Sequence, residues 1–157
     1  MRTENKILPP ELLLEEYRKL LQEEGVKELP LTVTGNSMSP FLIHGRDTVY
    51  LSRLTRPAKR GDVLLYRRQN GDYILHRVYA VTPEGCTMVG DAQRELETGI
   101  RPEQVIAIVT RAIRKDKELC PGSFWWDFFE TTWLCLLPVR RPAHKIYSAL
   151  KKENTVR

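Results

Sequence analysis

Val63-Leu64-Leu65-Tyr66-Arg67-Arg68-Gln69-Asn70-Gly71-Asp72-Tyr73-Ile74-Leu75-His76-Arg77-Val78-Tyr79-Ala80-Val81 reads as a β-hairpin. Two runs rich in β-branched and aromatic residues flank Gln69-Asn70-Gly71-Asp72, and Asn-Gly supplies the positive φ that a tight hairpin turn needs. Side chains alternate across a strand. Ile74, His76 and Val78 therefore share one face of the second run, and Tyr73, Leu75, Arg77 and Tyr79 share the other. Working outward, short apolar runs bounded by turn residues predict further strands at 31–34, 47–51, 87–89 and 105–113. Pro83-Glu84-Gly85 turns the chain before Cys86.

The ends differ in character. Pro9-Pro10 followed by the acidic start of 11–24 predicts a helix, with Leu13, Tyr17, Leu20 and Leu21 on its apolar face and Gly25 closing it. Phe124-Trp125-Trp126-Asp127-Phe128-Phe129 concentrates aromatics, Trp133 to Leu137 stays apolar, and Pro138 precedes a basic tail with Arg140, Arg141, Lys145, Lys151 and Lys152. That stretch reads as a helical hairpin completing the core, or as an interfacial membrane contact between Phe124 and Arg157. The expected fold is mainly β with an N-terminal helix and a C-terminal helical segment. It divides into an N-terminal extension (1–30), a β domain (31–117) and a C-terminal extension (118–157).

A chain of 157 residues, 41% hydrophobic and 29% charged, suits a folded domain with a proper core. Its net charge of +5 is dispersed rather than gathered into a basic stripe interleaved with aromatics, so nucleic acid is not expected as a partner. Cys86, Cys120 and Cys135 show no CxxC pairing and no metal-ligand spacing with His44, His76 or His144. No metal or cofactor is expected, and the odd cysteine count suits a reducing compartment. There is no secretory h-region and no long apolar run, so a cytoplasmic protein without an N-terminal anchor is expected, with possible peripheral contact to a membrane.

Gly35-Asn36-Ser37-Met38-Ser39-Pro40 carries the candidate chemistry. Gly35 allows positive φ and Pro40 restrains Ser39, so Ser37 sits on a turn that can expose its hydroxyl, although such residues are also ordinary turn formers. A serine nucleophile needs a base. His76 has apolar neighbours along its strand face, which favours the neutral, proton-accepting imidazole. A core histidine satisfied by a carbonyl fits the same periodicity, and His44 and His144 are the other histidines. Gly45-Arg46-Asp47, Gly61-Asp62 and Gly90-Asp91 read as turns in which the aspartate ties down nearby N–H groups.

Four stretches in order, Gly35 to Pro40, Gly61-Asp62-Val63-Leu64-Leu65-Tyr66, Tyr73-Ile74-Leu75-His76-Arg77-Val78 and Gly90-Asp91, resemble the boxes of the signal peptidase I superfamily. The resemblance spans about residues 31–115. It is to the histidine-bearing endoplasmic-reticulum and archaeal type, whose β core is shared with self-cleaving repressor peptidases. It implies a β catalytic core, Ser37 as nucleophile, His76 as general base and Asp91 as an acid that orients the imidazole or merely braces its turn. Gly35 stands where many bacterial members carry an oxyanion-hole serine, leaving the Ser37 N–H for that task. Fourteen residues between His76 and Asp91 leave no room for the extra β domain of large bacterial enzymes.

The resemblance implies a serine endopeptidase acting on an extended precursor or leader peptide, with small residues before the cut if family habits transfer. A non-catalytic or self-cleaving module, with Leu29-Pro30 or 96–101 as flexible segments, and a membrane-peripheral adaptor are the alternatives.

Overall fold

The computed structural model describes residues 10–140. Among them the fold is mainly β: one eight-stranded antiparallel sheet, an N-terminal helix and a C-terminal helical segment. The strands are β1 Leu29–Thr32, β2 Thr48–Ser52, β3 Val63–Arg67, β4 Tyr73–Thr82, β5 Gly85–Val89, β6 Glu97–Ile100, β7 Val105–Arg114 and β8 Lys117–Leu119. Their order is β1-β2-β7-β3-β4-β5-β6, with β8 on β7, so the first and sixth strands end the ladder.

The β3–β4 hairpin forms as its residues dictate. Leu64 pairs with His76 and Tyr66 with Ile74, while Gly71 takes φ +96° and donates to the Arg68 carbonyl. The third strand is apolar on both faces because each face has its own core. Val63 and Leu65 join Phe41, Val49, Leu51 and Val109 on one side. Leu64 and Tyr66 join Val78, Met88 and Ile100 on the other. Such two-sided burial explains an unbroken apolar run where a half-exposed strand would alternate.

The helix α1, Pro10–Leu20, is shorter than expected. Its last turn tightens into Gln22→Lys19 and Glu23→Leu20 bonds, and Gly25 turns away at φ +94°. Leu14 and Leu21, with Tyr17 between them, make the packed stripe, while Leu13 is half-buried beside it. Leu29-Pro30 and most of 96–101 are not flexible segments but lie in β1 and β6.

Phe124–Asp127 (α2) runs into a π-helical stretch, Phe128–Thr132, then α3, Trp133–Cys135, and a 3-10 turn, Leu137–Val139. Trp126 and Phe129 close over Phe41, with ring centroids 5.7 and 5.0 Å away. Leu134 and Leu137 pack on Val89. This segment completes the core, as one of the two sequence readings holds. Phe124 and Trp125 stay outside, 73% and 49% exposed. Arg140 is not a tail cation; it is buried and donates to the Trp133, Gly90 and Gln93 carbonyls. His144 and the remaining basic tail positions lie outside the described residues.

Candidate active site

Gly35, at φ +78°, turns the chain out of the first strand and into the Ser37 loop. Its N–H donates to His44 Nδ1 at 2.8 Å, which commits His44 to bracing this turn. The Ser39–Pro40 peptide is cis. Met38, Phe41 and Leu42 then dive into the core and anchor the loop from behind. Asp47 locks its exit by accepting from the Ile43 N–H at 2.9 Å and from Arg46 at 2.6 and 2.8 Å. Burial pushes the Asp47 carboxyl up, but those hydrogen bonds outweigh it and hold it below the usual range.

Ser37 is half-buried, and its carbonyl accepts the Ala92 N–H at 2.9 Å. Gly90 passes so close that a Cβ there would lie 2.5 Å from the Ser37 oxygen. The serine loop is thus docked on the Gly90-Asp91 turn. Among the described residues neither the Ser37 hydroxyl nor its N–H makes a hydrogen bond, so both are uncommitted.

His76 follows the alternation of the fourth strand onto the Leu64–Tyr66–Val78 face and is 4% exposed. Burial is the main reason its imidazole is pushed down to about 4; the Glu97 charge opposes that, Arg68 adds to it, and Asp91 opposes it weakly. The ring is neutral at pH 7 and can accept a proton. Its hydrogen bond is to Tyr66 Oη, a long 3.4 Å from Nδ1. No hydrogen bond joins it to Ser37 in this resting arrangement.

Asp91 makes no hydrogen bond to the imidazole. Both its oxygens are taken by Arg77 Nε and Nη2, at 2.9 and 2.8 Å, and both side chains are fully buried. Arg77 also donates to the Gly61 carbonyl at 3.0 Å and lies over the Phe41 ring. Asp91 therefore braces the turn that carries Ser37. The Asp62 carboxylate accepts the Lys59 N–H and pairs with Arg56, a turn role of the expected kind.

A contact near His76 escapes the sequence reading, that of Tyr66 with Glu97. Glu97 accepts Tyr66 Oη at 2.7 Å and both Arg68 Nε and Nη2 at 2.9 Å. By sequence Tyr66 reads as a core strand residue, and Glu97, with Glu95, only as a loose match to the acids that follow the Gly-Asp box in the signal peptidase pattern. Only the Met88–Glu97 pairing of the fifth and sixth strands brings the two together.

Beside the open edge of the first strand runs a cleft of about 400 Å³ lined by Leu13, Leu14, Tyr17, Leu31, Leu65 and Leu75. Val33 spends its N–H on Asp47 and its carbonyl on Gly45. Alternation then turns the backbone groups of Thr32 and Thr34 toward the cleft side. A larger cavity of about 660 Å³, flanked by Arg18, Arg53 and Arg101, is lined by none of Ser37, His76 or Asp91. Comparison with family models, with curated proteins and with solved structures finds no match to this chain in any of the three. No helix among the described residues is long and apolar enough to cross a membrane.

Proposed function

We propose that this protein is a serine endopeptidase of signal-peptidase-like type that processes a precursor or leader peptide. One observation carries the reading: an uncommitted Ser37 hydroxyl and N–H on a turn braced by Gly90 and Ala92, with a buried neutral histidine on the strand that Asp91 ties to that turn through Arg77. The open backbone groups of Thr32 and Thr34 lead toward Ser37 and suit an extended peptide added as one more strand.

In this mechanism Ser37 Oγ adds to the scissile carbonyl carbon as its proton passes to the free His76 nitrogen, Nε2. The Ser37 N–H donates to the oxyanion. The C–N bond then breaks as the imidazolium returns that proton to the departing amine. Water then adds to the acyl carbon as the same ring takes its proton, and the ester C–O bond breaks as the ring returns that proton to Ser37 Oγ, releasing a carboxylic acid. His76 and Ser37 must approach for the first transfer, and substrate binding supplies the occasion for that closure.

A fluorophosphonate probe tests the reading. It is expected to label wild type and to fail on Ser37→Ala and His76→Ala. Labelling that survives His76→Ala points to another base, such as the exposed Lys59.

The exposed Phe124 and Trp125 favour one addition, peripheral contact with a membrane surface. A cytoplasmic location is part of this proposal.

A further inference from the structure

Arg68, Glu97, Tyr66 and His76 form a continuous hydrogen-bonded chain that a peptidase dyad of Ser37 and His76 does not require. Its polarity is set by counting protons. Arg68 has only donors to give, so Glu97 accepts from it at both oxygens. Burial pushes the Glu97 carboxyl up, but the bonds from Arg68 and then Tyr66 outweigh that, so it stays ionised. Tyr66 has one proton, and the 2.7 Å bond to the carboxylate takes it. Burial, followed by that bond, raises the phenol and keeps it protonated.

A phenol whose only proton is spent can offer His76 nothing but a lone pair. The 3.4 Å contact to Nδ1 is then a hydrogen bond only when Nδ1 carries the hydrogen. We infer that Tyr66, Glu97 and Arg68 are positioning residues that hold His76 as the Nδ1–H tautomer, with Nε2 bare as the proton acceptor. The inference rests on reading His76 as the base. It assigns the orienting task to a phenol backed by a carboxylate, because Asp91 has both oxygens on Arg77. The charged groups acting on the imidazole are Glu97, Arg68 and Asp91. When the ring gains a proton from Ser37, the Glu97 charge behind Tyr66 stabilises the imidazolium across an otherwise apolar face.

The test joins spectroscopy to kinetics. Nitrogen-15 NMR of His76 in wild type is expected to show a protonated Nδ1 and a bare Nε2 at neutral pH. Tyr66→Phe, which keeps the ring that fills the core, is expected to lose that tautomeric preference. Its fluorophosphonate labelling should fall by on the order of 10–100-fold, the loss typical when the partner fixing a metal-bound histidine's tautomer is removed. Circular dichroism checks that the variant is folded, and Glu97→Gln should move both readouts the same way. An Nε2–H tautomer in wild type, or an unchanged tautomer in folded Tyr66→Phe, overturns the inference. A protein that shows the Nδ1–H tautomer yet is never labelled sinks the peptidase reading and leaves the positioning chain standing.

Discussion

Arg77 and Asp91 form a two-pronged ion pair, 2.9 and 2.8 Å long, with neither side chain exposed. It is the joint between the two halves of the candidate site. Arg77 is the chain neighbour of His76, and Asp91 lies between Gly90, which touches Ser37, and Ala92, which binds its carbonyl. Trp133 Nε1 adds a 2.8 Å bond to the Asp91 carbonyl, and Arg140 holds the Gly90 carbonyl. The C-terminal segment therefore stiffens the same turn.

Breaking one side of this pair leaves a buried charge without a partner. Asp91→Asn is expected to cost about 3–5 kcal/mol in urea unfolding. Replacing both partners, as Arg77→Met with Asp91→Leu, should recover most of that loss. An Asp91 that instead orients His76 would show lost labelling in Asp91→Asn at nearly unchanged stability.

Gly90→Ala tests the docking of the serine loop. The new methyl would lie 2.5 Å from the Ser37 backbone oxygen and 2.8 Å from Gln93 Oε1. Backbone cannot yield as a flexible side chain does, so the loop must move. We expect about 1–3 kcal/mol of destabilisation, as overpacking usually costs, and a larger proportional loss of labelling than of folded protein.

Acid should weaken the fold through His76. Its folded value, about 4, lies below the ordinary 6.5, so the unfolded chain takes up its proton first as pH falls. Stability from this residue is intact above 6.5 and is lost as pH drops toward about 4. The full gap corresponds to roughly 3 kcal/mol. Urea midpoints across that range should fall in wild type and fall less in His76→Gln.

Removing the C-terminal segment would conflate membrane contact with folding, since Trp126, Phe129, Leu134 and Leu137 are buried. Phe124→Ser with Trp125→Ser alters only the exposed pair. Flotation with anionic vesicles should drop in that variant while its melting temperature holds. Equal flotation of both proteins would remove the membrane contact from the account.

The β3–β4 hairpin was legible because alternation and Asn-Gly agree over its whole length. β6 and β8 were not, because Glu97-Thr98-Gly99-Ile100 and Lys117-Glu118-Leu119 carry one core residue each and exist through pairing with β5 and β7. Ser37 and His76 stood out through the order of four stretches resembling signal peptidase boxes, since locally they fit an ordinary turn serine and a core histidine. Tyr66 and Glu97 did not, being 31 residues apart with their contact made by strand order. Asp91 was visible as a residue but not as Arg77's partner, since only the fold brings the Gly90-Asp91 turn against that face of β4. Arg140 looked like part of a solvated tail because nothing local marks the carbonyls it binds.

The central claim is that Ser37 is activated by a neutral, buried His76. It is tested most directly by fluorophosphonate labelling of folded wild type from below pH 4 to neutrality, beside Ser37→Ala and His76→Ala. The account predicts labelling that requires both residues, rises with a midpoint near about 4 and is flat at neutral pH. Absence of labelling in wild type, labelling that survives either substitution, or a rise only at alkaline pH would contradict it.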